Sequence, residues 1–349
     1  FPYVNGKLFE EPLPMADFNT AMRDALLRRI CEAMADNPKL FFVCADFGSP
    51  VLDSIRERFP ERFINVGIAE QNLINISAGL ALEGYTVFAY AIAPFITMRC
   101  YEQIRVSLAL LSQVRPLNVN LIGVGAGFSY VVSGPTHQCY EDLTLMRAMP
   151  NMAVYSPADH ITAAALFERC LTLGGPKYLR LDAQVLPALY AEAPPDMVSG
   201  FQRHRDGDTL CLVATGYMVH TALKVAERLA QAGERVGVID LFDLSGFDRE
   251  LLAEMLATYA GLVSLEEGFR GRGGLDAMLF DFCARRRLPA RLLNIGVEGG
   301  YRFELGSRNE LHEQVSIGEN AVTERINHFL CTTNGKRGNN HFATPFNAG

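Results

Sequence analysis

The sequence lacks the features that mark several classes of protein. No run of apolar residues reaches the ~18 needed to cross a bilayer, and residues 1–14 lack the basic and apolar segments of a signal peptide. These absences predict a cytoplasmic protein with no membrane span. Positive charge is also scarce, because 32 Lys and Arg face 39 Asp and Glu, a net charge of −7. That balance argues against a binding groove for nucleic acid and against an anionic membrane surface.

Disulfide and metal motifs are missing as well. The eight cysteines include no C-x-x-C pair, and none of the seven histidines stands at ligand spacing from a cysteine. We therefore expect reduced thiols rather than a disulfide framework, and no metal site in this chain. Cys44, Cys211 and Cys283 lie in apolar runs and should be small buried side chains.

The features that are present indicate two α/β domains. A chain of 349 residues, 49% hydrophobic and 20% charged, is long enough for two globular cores. Short apolar runs such as residues 40–45 and 117–124 are separated by segments of helical period. Apolar runs without alternation are typical of a parallel sheet covered by helices on both faces. We predict an α/β fold with two doubly wound domains, the first with a mostly parallel sheet and the second smaller.

A change in composition places the boundary between the domains. Residues 191–200 are rich in proline and acidic residues, and the strand–helix pattern starts again after them. Residues 332–349 have little capacity for a core, so we expect a flexible or partner-bound tail there. The predicted divisions are a first domain at 16–190, a linker at 191–207, a second domain at 208–331 and a tail at 332–349.

Three segments of the first domain carry residues suited to chemistry. Glu70 follows a strand and a glycine turn, at the kind of strand end where open α/β sheets bind ligands. Phe95, Met98 and Tyr101 recur at three-residue spacing after another strand, and His137 lies in the loop segment GPTHQ. Each has a simpler alternative taken alone: a charge at a helix N-terminus, an aromatic stripe of the core, and a surface histidine.

Taken together, these segments resemble the transketolase family. The order GIAEQN, a phenylalanine loop before YEQI, then GPTHQ is similar to the central part of transketolases. The segments VATG, VIDLFDL, SLEEG and GRGGL look like the C-terminal domain of the same superfamily, so the likeness covers residues 22–330. GPTHQ favours transketolase over the β subunits of 2-oxoacid dehydrogenases, while deoxyxylulose-phosphate synthases carry a similar GIAEQ and THQ.

The resemblance implies thiamine diphosphate as the cofactor. In the family, the glutamate matching Glu70 hydrogen-bonds the N1′ atom of the aminopyrimidine ring and shares a proton with it, which burial of the carboxyl favours. Phe95 matches the aromatic residue that stacks on that ring, and Met98 and Tyr101 match positions that complete the pocket. His137 matches the histidine beside the reacting centre. The resemblance therefore implies that Glu70 and His137 are catalytic.

The substrate pocket departs from the family pattern. Arg23 and Ser49 lie near positions that contact the acceptor phosphate, but Gly125 stands where transketolases carry a histidine and Ser133 where they carry an aspartate. An arginine expected near the end of the segment RLDAQVLP is also absent, and Arg180 lies close by instead. Lost arginine, histidine and aspartate side chains change how a sugar is recognised. We therefore predict transfer of a two-carbon ketol unit to or from an unusual sugar, one without the usual terminal phosphate.

The chain also lacks the GDG segment that marks the Mg²⁺-diphosphate site of full-length transketolases; residues 206–208, Asp-Gly-Asp, suit a turn. Diphosphate needs a metal and oriented donors. We therefore expect a separate subunit to hold the Mg²⁺ and diphosphate, in an α2β2 heterotetramer. Three alternatives remain open: a dehydrogenase E1 β-like subunit, a deoxyxylulose-phosphate synthase relative, and a non-catalytic binding or regulatory homologue.

Overall fold

The structure is a computed structural model that describes residues 20–191 and 193–334. Within these residues the chain forms two sheets covered by helices, as the sequence predicts. Residues 332–334 end the last helix, and the rest of the predicted tail lies outside the described residues. No helix in the described ranges combines the length and apolarity needed to cross a bilayer. The predicted cytoplasmic location stays a prediction.

The first sheet has six strands in the order β2-β1-β3-β4-β6-β5, and all of its pairings are parallel. Its strands are β1 (Leu40–Cys44), β2 (Phe63–Asn65), β3 (Thr86–Ile92), β4 (Asn118–Val124), β5 (Ala153–Tyr155) and β6 (Gly175–Leu181). The accompanying helices are α1 (Met22–Asp36), α2 (Pro50–Arg58), α3 (Glu70–Leu82), α4 (Tyr101–Gln103), α5 (Asp142–Arg147) and α6 (His160–Thr172), with π-helical turns at Phe95–Arg99 and Ile104–Leu110 and a 3-10 turn at Pro60–Arg62.

Helices cover both faces of this sheet. Phe42 and Cys44 of β1 pack with α1, α2 and α6, while Val43 between them packs on the opposite face with α3. Successive residues of a strand point to opposite faces, so a strand buried on both sides must be apolar throughout. This explains why the run at residues 40–45 shows no alternation.

The second sheet has five strands in the order β11-β10-β8-β9-β7, with β7 antiparallel to β9 and the other pairings parallel. Its strands are β7 (Phe201–Arg205), β8 (Leu210–Ala214), β9 (Val236–Leu241), β10 (Gly261–Phe269) and β11 (Arg291–Val297). Its helices are α7 (Met218–Gln231), α8 (Arg249–Leu256), α9 (Leu275–Arg286), α10 (Arg308–Gln314) and α11 (Glu319–Asn334).

Strand β7 lies inside the stretch predicted as a linker, so the linker at 191–207 is corrected at its second half. Its sequence, FQRHR, is mostly polar because β7 is an edge strand, and it therefore gives no apolar run. Cys44, Cys211 and Cys283 are buried as predicted.

Buried ion pairs join the two sheets. The Arg308 guanidinium of α10 donates to both carboxylate oxygens of Glu267 and pairs with Asp182 Oδ2 at 2.7 Å, just after β6. His312 Nε2 hydrogen-bonds the same Glu267 carboxylate. Burial raises the pKa of the Glu267 carboxyl, but the Arg308 and His312 cations outweigh burial and hold that pKa well below its usual range. Removing Arg308 would leave a buried carboxylate without its main partner, which is strongly destabilising.

Candidate active site

Glu70 lies at the first turn of α3, directly after the loop that leaves β2. Gly67 in that loop has a φ of 72°, a left-handed conformation that glycine adopts without strain. The Asn65 side chain accepts hydrogen bonds from the backbone N–H groups of Gly67 and Asp46, at 2.9 and 3.1 Å, and so fixes the turn. The Glu70 side chain that follows is only 2% exposed.

Phe95 begins a widened helical turn directly after β3. The Phe95–Arg99 segment is a π-helix, a geometry often found at functional sites. The Thr97 hydroxyl donates to the Ala93 carbonyl at 2.7 Å, and the Cys100 thiol donates to the Ile96 carbonyl at 2.9 Å. These side chains satisfy carbonyl groups along the widened turn.

Arg99 connects Glu70 with Phe95. Its Nη1 atom donates to both carboxylate oxygens of Glu70, at 2.8 and 2.9 Å. Its guanidinium carbon lies 4.2 Å from the centroid of the Phe95 ring. The structure therefore brings Glu70 and Phe95 to one place, as the sequence predicts, with a cation between them that the sequence motifs do not reveal.

His137 joins the same group from the loop after β4. Its ring centroid lies 5.3 Å from that of Phe95, in an edge-to-face arrangement, and 6.2 Å from that of Tyr130. Its Nδ1 atom is 3.0 Å from the Thr136 hydroxyl oxygen. His137 is half-buried, so its ring has protein on one side and accessible space on the other.

A cleft of about 420 Å³ opens beside these residues. This volume lies in the range of small-molecule sites, about 300–1,000 Å³. The cleft is lined by Pro94, Phe95, Met98, Arg99, Pro135, Thr136, Gln138, Glu141 and Tyr301. Tyr301 comes from the second domain, and its hydroxyl donates to Glu141 Oε1 at 2.7 Å. Both domains therefore contribute to the cleft.

Tyr101 does not line this cleft. Its ring packs against the core of the first domain, and its hydroxyl donates to the Leu145 carbonyl at 3.2 Å. Met98 does line the cleft and is partly exposed there. Of the three residues at three-residue spacing, Phe95 and Met98 therefore face the cleft, while Tyr101 supports the turn from behind.

The residues predicted to bind substrate occupy different environments. Arg23 is half-buried and pairs with Asp24 at 2.8 Å, and Ser133 is exposed in the loop before His137. The Ser49 hydroxyl caps α2, accepting from the Leu52 N–H at 3.2 Å. These three side chains are not brought to the lining of the cleft.

Arg180 is buried between the two domains. Its Nε donates to Asp142 Oδ2 and its Nη2 to the Glu267 carbonyl, both at 2.8 Å. The guanidinium is 1% exposed, so a substrate has no route to it in this arrangement. Arg180 therefore anchors one domain to the other and is not placed as the substrate contact that the sequence suggested.

Tyr130 fills the space at Gly125, where transketolases carry a histidine. Gly125 has a φ of 108°, and a β-carbon there would lie 2.2 Å from Tyr130 Cε2. Burial raises the pKa of the Tyr130 hydroxyl to about 12, although the Arg23 cation acts to lower it. The Tyr130 ring thus stands between Arg23 and His137, a placement that depends on Gly125 having no side chain.

A larger depression, about 680 Å³, lies on the outer face of α7. It is lined by Arg205, Leu223, Lys224, Glu227, Arg228 and Gln231. Arg205 pairs with Glu227, and Lys224 pairs with Glu319. Because these cations are already paired and the lining has no aromatic side chain, we do not assign a ligand site there. In the described part of the chain, no three His, Cys, Asp or Glu side chains are grouped to hold a metal ion.

Family comparisons agree with the two-sheet architecture. Residues 19–188 match the family model of the transketolase pyrimidine binding domain, and residues 200–322 match that of the transketolase C-terminal domain. A solved structure described as a split gene transketolase, inactive beta4 tetramer, is 30% identical, with a TM-score of 0.77, and the match covers 89% of this chain and 98% of that one. The chain belongs to the transketolase family.

Its transketolase relatives include components of split enzymes. One of the two chains of apulose-4-phosphate transketolase from Actinobacillus succinogenes is 28% identical over 87% of this chain and 96% of that relative. The 6-deoxy-6-sulfo-D-fructose transketolase subunit SqwH of Clostridium sp. is 29% identical over 88% of this chain and 95% of that relative. The resemblance to the C-terminal half of a split transketolase is therefore confirmed.

Proposed function

We propose that this chain is the β-type subunit of a thiamine-diphosphate-dependent split transketolase and holds the aminopyrimidine half of the cofactor. One observation carries the proposal: the buried Glu70 carboxylate lies beside the Phe95 ring at the edge of an open cleft. A buried carboxylate is costly unless it is paired. Here its partner is a cation that is itself half-exposed, so the carboxylate remains accessible to a ligand from the cleft.

The residues present suit the ring. Glu70 would accept a hydrogen bond from the protonated ring nitrogen, Phe95 would stack on the ring, and Met98 would fill the adjacent space with a flexible thioether. Tyr101 would hold the turn through its bond to the Leu145 carbonyl. When bound, thiamine diphosphate supplies the nucleophilic carbon that accepts the ketol unit.

His137 is placed to act on substrate oxygens. Its contact with Phe95 positions the imidazole beside the proposed ring site, and its exposed side faces accessible space. An imidazole so placed can donate a hydrogen bond to a substrate hydroxyl or carbonyl and move a proton. We therefore propose His137 as the general acid–base residue of this chain.

A partner subunit would supply the remaining half of the cofactor site. Diphosphate requires a metal ion and oriented donors, and the sequence has no GDG segment followed by asparagine to provide them. We propose that a separate α subunit holds Mg²⁺ and the diphosphate, in an α2β2 assembly. The names of the relatives as subunits, and of the structural neighbour as an inactive beta4 tetramer, support this division.

The substrate is proposed to be an uncommon sugar. Gly125 and the Tyr130 ring replace the histidine expected there, and Ser133 replaces an aspartate, so the sugar hydroxyls meet different partners. The relatives are named for apulose-4-phosphate and 6-deoxy-6-sulfo-D-fructose, neither of them an ordinary pentose or hexose phosphate. Arg23, Ser49 and Ser133 remain proposed substrate contacts, which requires Ser49 to act in addition to capping α2.

A reaction screen tests this function. The chain is mixed with its partner subunit, thiamine diphosphate and Mg²⁺, and offered phosphorylated, sulfonated and unmodified ketoses with aldose acceptors. We expect ketol transfer that His137→Asn lowers by about 10²–10⁴-fold. Pyruvate decarboxylation or acyl transfer to lipoamide would select the related enzyme classes instead, and no turnover at all would select a non-catalytic homologue. Ordinary phosphosugars as far the best substrates would contradict the altered pocket.

A further inference from the structure

Arg99 makes the contacts that the proposed function assigns to the cofactor ring. Glu70 and Phe95 are proposed to hold the aminopyrimidine, one by a hydrogen bond and the other by stacking. The Arg99 guanidinium already does both, with its Nη1 at 2.8 and 2.9 Å from the carboxylate oxygens and its carbon 4.2 Å from the ring centroid. One planar cation therefore satisfies both groups.

We propose that Arg99 is an internal competitor for the aminopyrimidine ring and sets the affinity of this chain for the cofactor. The inference rests on the proposed function, because it takes Glu70 and Phe95 as the partners of the ring. A guanidinium is flat, delocalised and positively charged, and it stacks on aromatic faces. A protonated aminopyrimidine shares these properties, so either group can occupy the same carboxylate and the same aromatic ring.

Arg99 can leave this position without disturbing the core. Its side chain is 45% exposed, whereas that of Glu70 is 2% exposed. Its backbone is held separately, since the Arg99 carbonyl accepts a hydrogen bond from Gln71 Nε2 at 3.4 Å. The Glu141 carboxylate lines the same cleft and offers a second acidic partner. Displacement therefore requires a change of side-chain conformation only.

The position of Arg99 lowers the apparent affinity for the ring. When only a fraction of molecules is open, the observed dissociation constant rises by the inverse of that fraction. An exposed ion pair together with an exposed cation–π contact favours the closed form by about 3- to 30-fold. Removing the Arg99 cation should tighten ring binding by the same factor.

Calorimetric titration of the whole chain with 4-amino-5-hydroxymethyl-2-methylpyrimidine tests the inference, because this probe carries the ring without thiazolium or phosphate. We expect Arg99→Gln to lower the dissociation constant by about 3- to 30-fold. The matched control is Arg105→Gln, which removes an arginine of similar exposure that pairs with Glu102 at 3.9 Å. The control should leave the dissociation constant within about twofold of the wild-type value.

The Glu70→Ala variant distinguishes failure of the inference from failure of the proposed function. Equal or weaker ring binding by Arg99→Gln, with binding abolished by Glu70→Ala, overturns the role of Arg99 and leaves the pyrimidine site intact. Ring binding that is unchanged by Glu70→Ala, or absent from the wild type and from Arg99→Gln, overturns the pyrimidine site and the inference together.

Discussion

Replacing Glu70 by glutamine should separate the stability of the fold from the binding of the cofactor. In the free chain, the change removes the pair with Arg99, whose side chain is 45% exposed, and a charge in the first turn of α3. An exposed ion pair contributes about 0.2–1 kcal/mol, and a charge near a helix N-terminus about 0.3–1 kcal/mol. The free energy of unfolding should therefore fall by only about 0.5–2 kcal/mol.

The effect on the proposed cofactor site should be larger. A hydrogen bond to a charged group contributes about 1.5–3 kcal/mol, which corresponds to about 10- to 160-fold in affinity. Glutamine also cannot share the ring proton, so turnover at saturating cofactor should fall by about 10²–10⁴-fold. The predicted signature is a folded protein with weak cofactor binding and little turnover.

Three assays on the same preparations test this prediction: urea unfolding followed by circular dichroism, titration of the two-subunit mixture with thiamine diphosphate, and ketol transfer. Glu102→Gln is the matched control, because Glu102 is 69% exposed and pairs only weakly with Arg105 in the same helical region. It should change each quantity little. More than about a tenth of wild-type turnover in Glu70→Gln at saturating cofactor would refute the role given to Glu70.

Three further predictions concern stability, each measured by urea unfolding. Arg308→Met should lower the free energy of unfolding by about 3–5 kcal/mol, because it leaves Glu267 buried without its main cation; a loss below about 1 kcal/mol would contradict this. Burial raises the pKa of Asp240 from 3.8 to about 8, so its contribution to stability is lost as pH rises between these values, and Asp240→Asn should flatten that fall between pH 5 and 8. Gly125→Ala should cost about 1–3 kcal/mol, because of its φ of 108° and the Tyr130 ring, and Tyr130→Ala in the same chain should recover part of that loss.

Apolar periodicity predicted most elements of both sheets, and the exceptions have physical reasons. Strand β6 shows no uninterrupted apolar run, because it carries Lys177 and Arg180. Both are buried, Lys177 with its Nζ 2.7 Å from Asn118 Oδ1 and Arg180 on Asp142. Buried charges of this kind depend on partners distant in sequence, so the residue pattern of the strand alone cannot reveal them.

The candidate site was predictable in its main residues but not in its details. Glu70, Phe95 and His137 follow strand ends, which parallel topology brings to one edge of the sheet. Three-residue spacing predicted that Tyr101 would face the same side as Phe95, but the π-helical turn changes the direction of the following residues. Arg99 faces the site instead, and a tyrosine of the second domain reaches the cleft through a long-range contact with no local signal.

The most direct test of the central claim is to measure how tightly thiamine diphosphate binds to this chain alone, to the partner subunit alone, and to their mixture, in the presence of Mg²⁺. A buried carboxylate beside an aromatic ring holds only the pyrimidine end, so tight binding should require both subunits. Tight binding by this chain alone, or a mixture that binds no more tightly than the partner subunit, would contradict the account.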